Sequence, residues 1–189
     1  MLAASRFPWL KCVIGIVPSD VVWEGWGSAS PEGTRSSFAW RGKPIPFTPY
    51  KGMAAAFEGL ARGERRTLVG PHLDGRRENP KRAAAARIAV ENHIGPMLVA
   101  GGDADTTWPS GEMTRAIAER RVAVGRPTVS LTFADAGHGL AGTGWGPMAF
   151  GGQGADVQKQ ALAQARTWRE TLRFLSDVMP VPSTMVSDP

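Results

Sequence analysis

The sequence has few of the residues that stabilise small secreted proteins or anchor a chain in a membrane. Its 189 residues include one cysteine, Cys12, so no disulfide can form within the chain, which is typical of a reducing compartment. No apolar run approaches the roughly 20 residues that a membrane-spanning helix needs. Arg6, Pro8 and Lys11 interrupt the place where a signal peptide would carry its apolar stretch. We therefore predict a cytoplasmic protein that makes no membrane contact.

The excess of positive charge is confined to one stretch. The net charge is +5, and residues 62–87 account for all of it. This stretch lacks the interleaved aromatic residues that stack on bases, which makes nucleic acid an unfavoured partner. It is either a solvated surface or a docking surface for a phosphorylated substrate. The residues we consider for such docking are Arg65, Arg66, Arg76 and Arg77.

Three short runs that are apolar or rich in β-branched residues predict strands, at 11–17, 96–100 and 128–133. The first two have the composition of strands buried on both faces of a parallel sheet. Helices are predicted at 53–62, 81–92 and 110–124, the third of these with Ser110 as its N-cap. Alternating strands and helices of this kind indicate an α/β fold with a parallel sheet. Residues 19–80 form an excursion that covers one end of the sheet.

A long amphipathic helix is predicted near the end of the sequence, at about 155–175. Apolar residues recur there at steps of three and four, so we expect them to form a buried inner face. They are Val157, Ala161, Ala165, Trp168, Leu172 and Leu175.

Chemically suggestive residues follow the second and third predicted strands. Asp103 and Asp105 lie after the second strand, and His138 lies after the third. Because the carboxyl ends of parallel strands meet at one edge of the sheet, an acid on the first loop can reach the histidine on the next. A carboxylate that holds the imidazole tautomer prepares its other nitrogen to accept a proton from a nucleophile. His72 and His93 have no comparable partners, and we interpret both as structural.

Several motifs, in their order along the chain, carry a resemblance to a known family. They are Pro-Ser-Asp-Val-Val-Trp-Glu-Gly at 18–25, Gly-Lys-Pro-Ile-Pro-Phe at 42–47, Ile-Ala-Val-Glu at 88–91 with Gly-Pro at 95–96, Gly-Gly-Asp and Trp-Pro-Ser within 101–110, Ala-Gly-His-Gly at 136–139 and Gly-Gly at 151–152. Together they resemble the bile acid-CoA:amino acid N-acyltransferase and acyl-CoA thioester hydrolase family.

The resemblance implies the C-terminal part of an α/β-hydrolase fold, over residues 1–179, followed by a loose tail at 180–189. It implies acyl-CoA substrates, no metal, and no cofactor beyond the CoA that belongs to the substrate. His138 would be the catalytic base. Asp105 stands four residues before Pro109, a spacing that favours it over Asp103 as the catalytic acid.

The family's nucleophile is missing from the sequence. No Gly-x-Ser-x-Gly-like elbow occurs in it, so we interpret the chain as truncated at its N-terminus and inactive alone. The first predicted strand would then lack a neighbour, which predicts marginal stability, self-association, or dependence on an N-terminal fragment that supplies the nucleophile. A dienelactone hydrolase or carboxylesterase is an alternative within the same fold. A non-enzymatic module that binds acidic partners through the basic stretch is an alternative of another class.

Overall fold

The structure is a computed structural model, and it describes residues 1–25, 31–143 and 156–179. Strands and helices alternate in its second half. In chain order they are β1 (Val13–Ile16), β2 (Ala39–Trp40), β3 (Lys43–Pro44), α1 (Met53–Ala61), α2 (Val69–Glu78), α3 (Pro80–Ala85), a 3₁₀ turn (Val90–Asn92), β4 (Met97–Gly102), α4 (Ser110–Ala123), β5 (Thr128–Phe133) and α5 (Val157–Val178).

The centre of the molecule is a three-stranded parallel sheet in the order β1–β4–β5. Val13 lies opposite Met97, and Met97 opposite Thr128. β4 is completely buried because it is apolar on both faces and has a partner on both edges. The predicted α/β fold with three parallel strands is therefore confirmed.

β1 differs from the strand that the sequence predicts. Three of its four residues are only half-buried, so the prediction of a strand buried on both faces is wrong. Within the described residues, β1 pairs with β4 alone, and its other edge has no partner strand. An unpaired edge leaves backbone donors and acceptors without sheet hydrogen bonds, and it leaves the adjoining side chains half-covered.

α4 lies against β4 and β5 and buries Met113 and Ile117. Ser110 is not its N-cap, because Pro109 holds that position. The Ser110 hydroxyl instead accepts a hydrogen bond from the Gly102 N–H, 3.1 Å away, and donates to the Gly102 carbonyl at 3.2 Å. The serine therefore ties the start of α4 to the end of β4.

Arg121, in the last turn of α4, is fully buried. Its guanidinium donates to four carbonyls and to the Thr128 hydroxyl, at distances of 2.7 to 3.2 Å. The carbonyls belong to Val90, His93, Gly95 and Pro127. These bonds compensate the cost of burying a charge, and they join the approaches to β4 and β5.

Residues 19–80 contain the short antiparallel hairpin β2–β3 and the helices α1 and α2. Val21 and Trp23 from this stretch pack against Met113 of α4. α1 matches the helix predicted at 53–62. The helix predicted at 81–92 is shorter, because α3 ends at Ala85 and the chain reaches β4 through the 3₁₀ turn.

α5 exists as predicted, but it buries a different face. Val157, Trp168 and Leu172 are 63%, 42% and 49% exposed, so the predicted inner face is wrong. The helix instead buries a largely polar face made of Gln160, Ala163, Gln164, Thr167, Thr171 and Phe174. No helix in the described part of the chain is long and apolar enough to cross a membrane.

Candidate active site

The loops after β4 and β5 are hydrogen-bonded to each other. The Asp103 N–H donates to the Phe133 carbonyl at 2.9 Å, and the Ala104 N–H donates to the Ala136 carbonyl at 3.1 Å. These bonds extend the pairing of the two strands beyond their carboxyl ends. Gly102 permits the close approach, because a Cβ at this position would lie 2.0 Å from the Ala136 carbonyl oxygen.

Asp105 and His138 meet across these two loops. Asp105 Oδ2 lies 2.9 Å from His138 Nδ1, and the aspartate side chain is completely buried. Its other oxygen, Oδ1, accepts hydrogen bonds from the N–H groups of Thr107 at 2.8 Å and Trp108 at 3.3 Å. The carboxylate is therefore held from both sides, and it favours the tautomer with the proton on His138 Nδ1.

Asp103, the alternative acid, points elsewhere. Its carboxylate accepts two hydrogen bonds from the guanidinium of Arg115, at 2.9 and 3.1 Å. The structure thus places Asp105 against His138, which is the arrangement that the spacing from Pro109 favours. Asp103 belongs to a partly exposed ion pair at the start of α4.

Trp108 forms an apolar wall beside the pair. Its ring meets the ring of His138 edge to face, with centroids 4.8 Å apart and an interplanar angle of 81°. Behind it, His72 lies among Trp23, Tyr50 and Trp108. The sequence interpretation missed Trp108 as a neighbour of the histidine, although it stands in the quoted Trp-Pro-Ser motif.

His72 and His93 are both buried, in agreement with their interpretation as structural residues. Burial lowers the pKa of His72 to about 4, with the Arg76 charge acting in the same direction. Its Nδ1 lies 2.7 Å from the Leu68 carbonyl, which holds the neutral ring in place. Burial also lowers the pKa of His93. Neither histidine belongs to a cluster of metal-ligating side chains within the described residues.

The comparison with known families gives a match over more than half of the chain. Residues 73–180 match the family described as "BAAT / Acyl-CoA thioester hydrolase C terminal". The chain belongs to this family. The match includes Asp105 and His138, and the sheet is thereby identified as the C-terminal part of an α/β-hydrolase fold. The Gly-Gly motif at 151–152 and the predicted tail at 180–189 lie outside the described residues.

Among solved structures, the chain is similar to a thermophilic esterase from the planctomycete Thermogutta terrifontis. The native form is 22% identical over 62% of this chain and 41% of that chain, with a TM-score of 0.36. The butyrate-bound form is 23% identical over 59% and 38%, with a TM-score of 0.35. The propionate-bound form is 20% identical over 86% and 53%, with a TM-score of 0.36. The chain thus spans about two fifths to one half of the esterase. No curated protein matches it.

An apolar cavity of about 560 Å³ lies beside the site. Ile14 and Ile16 of β1 line one part of it, and Val21, Trp23 and Trp108 line another. Trp108 therefore contacts both the cavity and His138. The cavity consequently places apolar surface next to the Asp105–His138 pair.

The four arginines considered for docking have different surroundings. Arg76 is partly buried and bonds to the buried carboxylate of Asp20 at 2.6 Å, so its charge is already compensated. Arg66 pairs with Glu64 and Arg77 pairs with Asp74, in both cases at the surface. Arg65 is exposed, and within the described residues it forms no ion pair. The structure thus leaves Arg65, Arg66 and Arg77 at the surface and uses Arg76 for internal packing.

Proposed function

We propose that the chain provides the acid and the base of an acyl-CoA thioester hydrolase. In this reaction a nucleophile attacks the thioester carbonyl, and His138 Nε2 takes the proton of the nucleophile. His138 then gives that proton to the departing CoA thiolate, and the same residue activates the water that releases the acyl group. Asp105 holds the histidine in the required tautomer and stabilises the imidazolium.

The observation that carries the proposal is the 2.9 Å contact between Asp105 Oδ2 and His138 Nδ1. It occurs at the carboxyl ends of two adjacent parallel strands, where α/β folds bind their ligands. The two backbone N–H groups on Oδ1 keep the carboxylate from rotating, so the pair is preorganised before any substrate binds.

The nucleophile in this proposal comes from outside these 189 residues, which contain no Gly-x-Ser-x-Gly elbow. The open edge of β1 is a suitable place for the segment that carries it, because a further parallel strand could bond there. The chain alone is then inactive. Self-association of the chain is the competing use of the same edge.

The substrate groups have two candidate locations. The acyl chain would lie in the cavity beside Trp108, which presents mostly apolar side chains. The phosphates of CoA would meet the exposed Arg65, Arg66 and Arg77. The reaction needs no metal and no further cofactor, and we expect it to take place in the cytoplasm.

The test is to search the coding DNA upstream of Met1 for an elbow of the form Gly-x-Ser/Cys-x-Gly and to produce the chain together with the segment that carries it. Thiol release from octanoyl-CoA then measures thioester hydrolysis, and 4-nitrophenyl butyrate measures ester hydrolysis. We expect octanoyl-CoA to be the better substrate. His138→Ala should lower kcat by about 10³-fold or more, with Asp105→Asn similarly severe.

The matched control is Asp103→Asn, which removes a carboxylate from the same loop without touching His138. It should leave kcat within a few-fold of the original value. Hydrolysis of octanoyl-CoA that survives His138→Ala would contradict the proposal, as would the absence of any encoded elbow. Cleavage of the ester without cleavage of the thioester would favour the carboxylesterase alternative.

A further inference from the structure

The polar face that α5 buries is directed at the loop that carries His138. Gln160 and Gln164 are only 4% and 2% exposed. Gln160 Oε1 accepts a hydrogen bond from the Gly137 N–H at 2.6 Å, and its Nε2 donates to the Gly139 carbonyl at 2.7 Å. Gln164 Nε2 donates to the same carbonyl at 2.5 Å. A single carboxamide therefore spans the residues on both sides of His138.

Backbone hydrogen bonds already join this loop to the loop after β4, and Gln160 adds support at the two glycines that flank His138. Gly137 and Gly139 have no side chains with which to pack, and glycine has the largest backbone freedom of any residue. A displaced loop would leave the buried amide groups of Gln160 without partners, which is unfavourable. The two hydrogen bonds thus favour one backbone position on each side of the histidine.

The start of α5 is fixed to the same loop. Asp156 caps the helix by accepting from the N–H groups of Gln158 and Lys159. The Lys159 ammonium pairs with Asp135, which follows β5, at 3.0 Å. The cap fixes where α5 begins, and the exposed Lys159–Asp135 pair adds one contact between the helix and the loop.

We propose that Gln160, supported by Gln164, is a positioning residue for His138. It acts through the backbone of the loop and keeps the imidazole where it meets Asp105. Hydrogen bonds to the backbone beside a catalytic group hold that group within the narrow geometry that catalysis requires. This inference rests on the proposed function, because only a catalytic histidine needs to be positioned. The contacts of Gln160 with the backbone beside His138 can nevertheless be measured in this chain without a nucleophile.

The test compares Gln160→Met with Thr167→Val in the 189-residue chain. Both substitutions exchange a buried polar group on the same face of α5, but Thr167 makes no side-chain hydrogen bond within the described residues. Proton NMR follows the His138 Nδ1–H resonance, and hydrogen exchange follows the Gly137 N–H. We expect Gln160→Met to broaden or abolish the resonance and to speed Gly137 exchange about tenfold, the effect of one lost hydrogen bond. Thr167→Val should change neither.

A second variant keeps the proposal testable if Gln160→Met does not fold. Gln160→Glu retains the size of the side chain and an acceptor for Gly137, but it turns an acceptor towards the Gly139 carbonyl and should also weaken the His138 resonance. A resonance that persists unchanged in the folded variants overturns the positioning role alone. A wild-type chain without the resonance overturns both this role and the Asp105–His138 pair of the proposed function.

Discussion

Two regions of the molecule differ in how many of their backbone and side-chain groups have partners within the described residues. On the β4–β5 side, backbone bonds join the acid and histidine loops, Arg121 joins the approaches to the two strands, and Gln160 spans the histidine loop. At the other edge of the sheet, β1 pairs with no further strand in the described residues. The outward face of α5, the helix that carries Gln160, exposes an apolar stripe formed by Val157, Trp168 and Leu172.

This difference distinguishes the residues that the chain holds in place by its own contacts from the surfaces that remain exposed. Asp105 and His138 are held in place by contacts within the chain, so under the proposed function half of the catalytic site would be preorganised here. The unpaired edge and the apolar stripe have the properties of surfaces that bury themselves against another segment. The contrast fits the proposal that a segment outside these 189 residues supplies the nucleophile.

The largest loss of stability is expected from a substitution of Arg121, on the β4–β5 side of the sheet. Arg121→Leu keeps apolar volume but leaves the carbonyls of Val90, His93 and Gly95 without their buried donor. We expect the free energy of unfolding to fall by at least about 3 kcal/mol in urea titration, since each unsatisfied buried group is costly. Arg169→Leu, at an exposed position of α5, is the control and should change it by less than about 0.5 kcal/mol. Equal effects would show that the Arg121 contacts contribute little.

The stability of the folded chain is expected to depend on pH through His72. Its pKa is about 4 in the folded chain and 6.5 as the ordinary value, so the unfolded chain binds more protons between these two values. The contribution of neutral His72 to the free energy of unfolding is therefore complete above pH 6.5, and it is lost as the pH falls towards 4. The total loss should approach about 3 kcal/mol.

The measurement is the urea midpoint of the original chain and of His72→Gln, each at pH 7 and at pH 4.5. The original chain should lose more stability between the two conditions than the variant does. A parallel fall of both midpoints would mean that His72 titrates normally and that its surroundings are more polar than the structure indicates.

The smallest change in the free energy of unfolding is expected from substitutions in the exposed apolar stripe of α5. Trp168→Glu combined with Leu172→Glu places charge on the apolar stripe without touching the buried face of α5. The free energy of unfolding should change by less than about 0.5 kcal/mol, whereas self-association in sedimentation velocity should decrease. Ala163→Glu, on the buried face, should instead destabilise the chain. A strongly destabilised double variant would mean that the stripe packs inward.

The sequence predicts the parts of the fold that depend on local composition. The three strands follow from short apolar or β-branched runs, and α4 lies where the sequence predicts a helix. The aspartate that contacts His138 is the one that the family resemblance favours, through the spacing before Pro109. α2 and the β2–β3 hairpin were missed, because Gly, Pro and charged residues give them no apolar periodicity.

The inner face of α5 could not be predicted from hydrophobicity. Its most apolar stripe lies outward because the opposite face, with Gln160 and Gln164, packs against the histidine loop and bonds to it. The sequence signal for this buried face is the i, i+4 pair Gln160 and Gln164. It cannot be interpreted without knowing that the loop with His138 lies beside the helix. The edge position of β1 likewise depends on which strands the chain contains, and its composition does not reveal it.

The most direct test of the central claim is nitrogen-15 NMR of His138 in the 189-residue chain, with the Asp105→Asn and Asp103→Asn variants. We predict a proton on His138 Nδ1, a state that Asp105→Asn abolishes and Asp103→Asn preserves. A ring that populates both tautomers in the original chain, or that responds to Asp103→Asn alone, would contradict the pairing of Asp105 with His138.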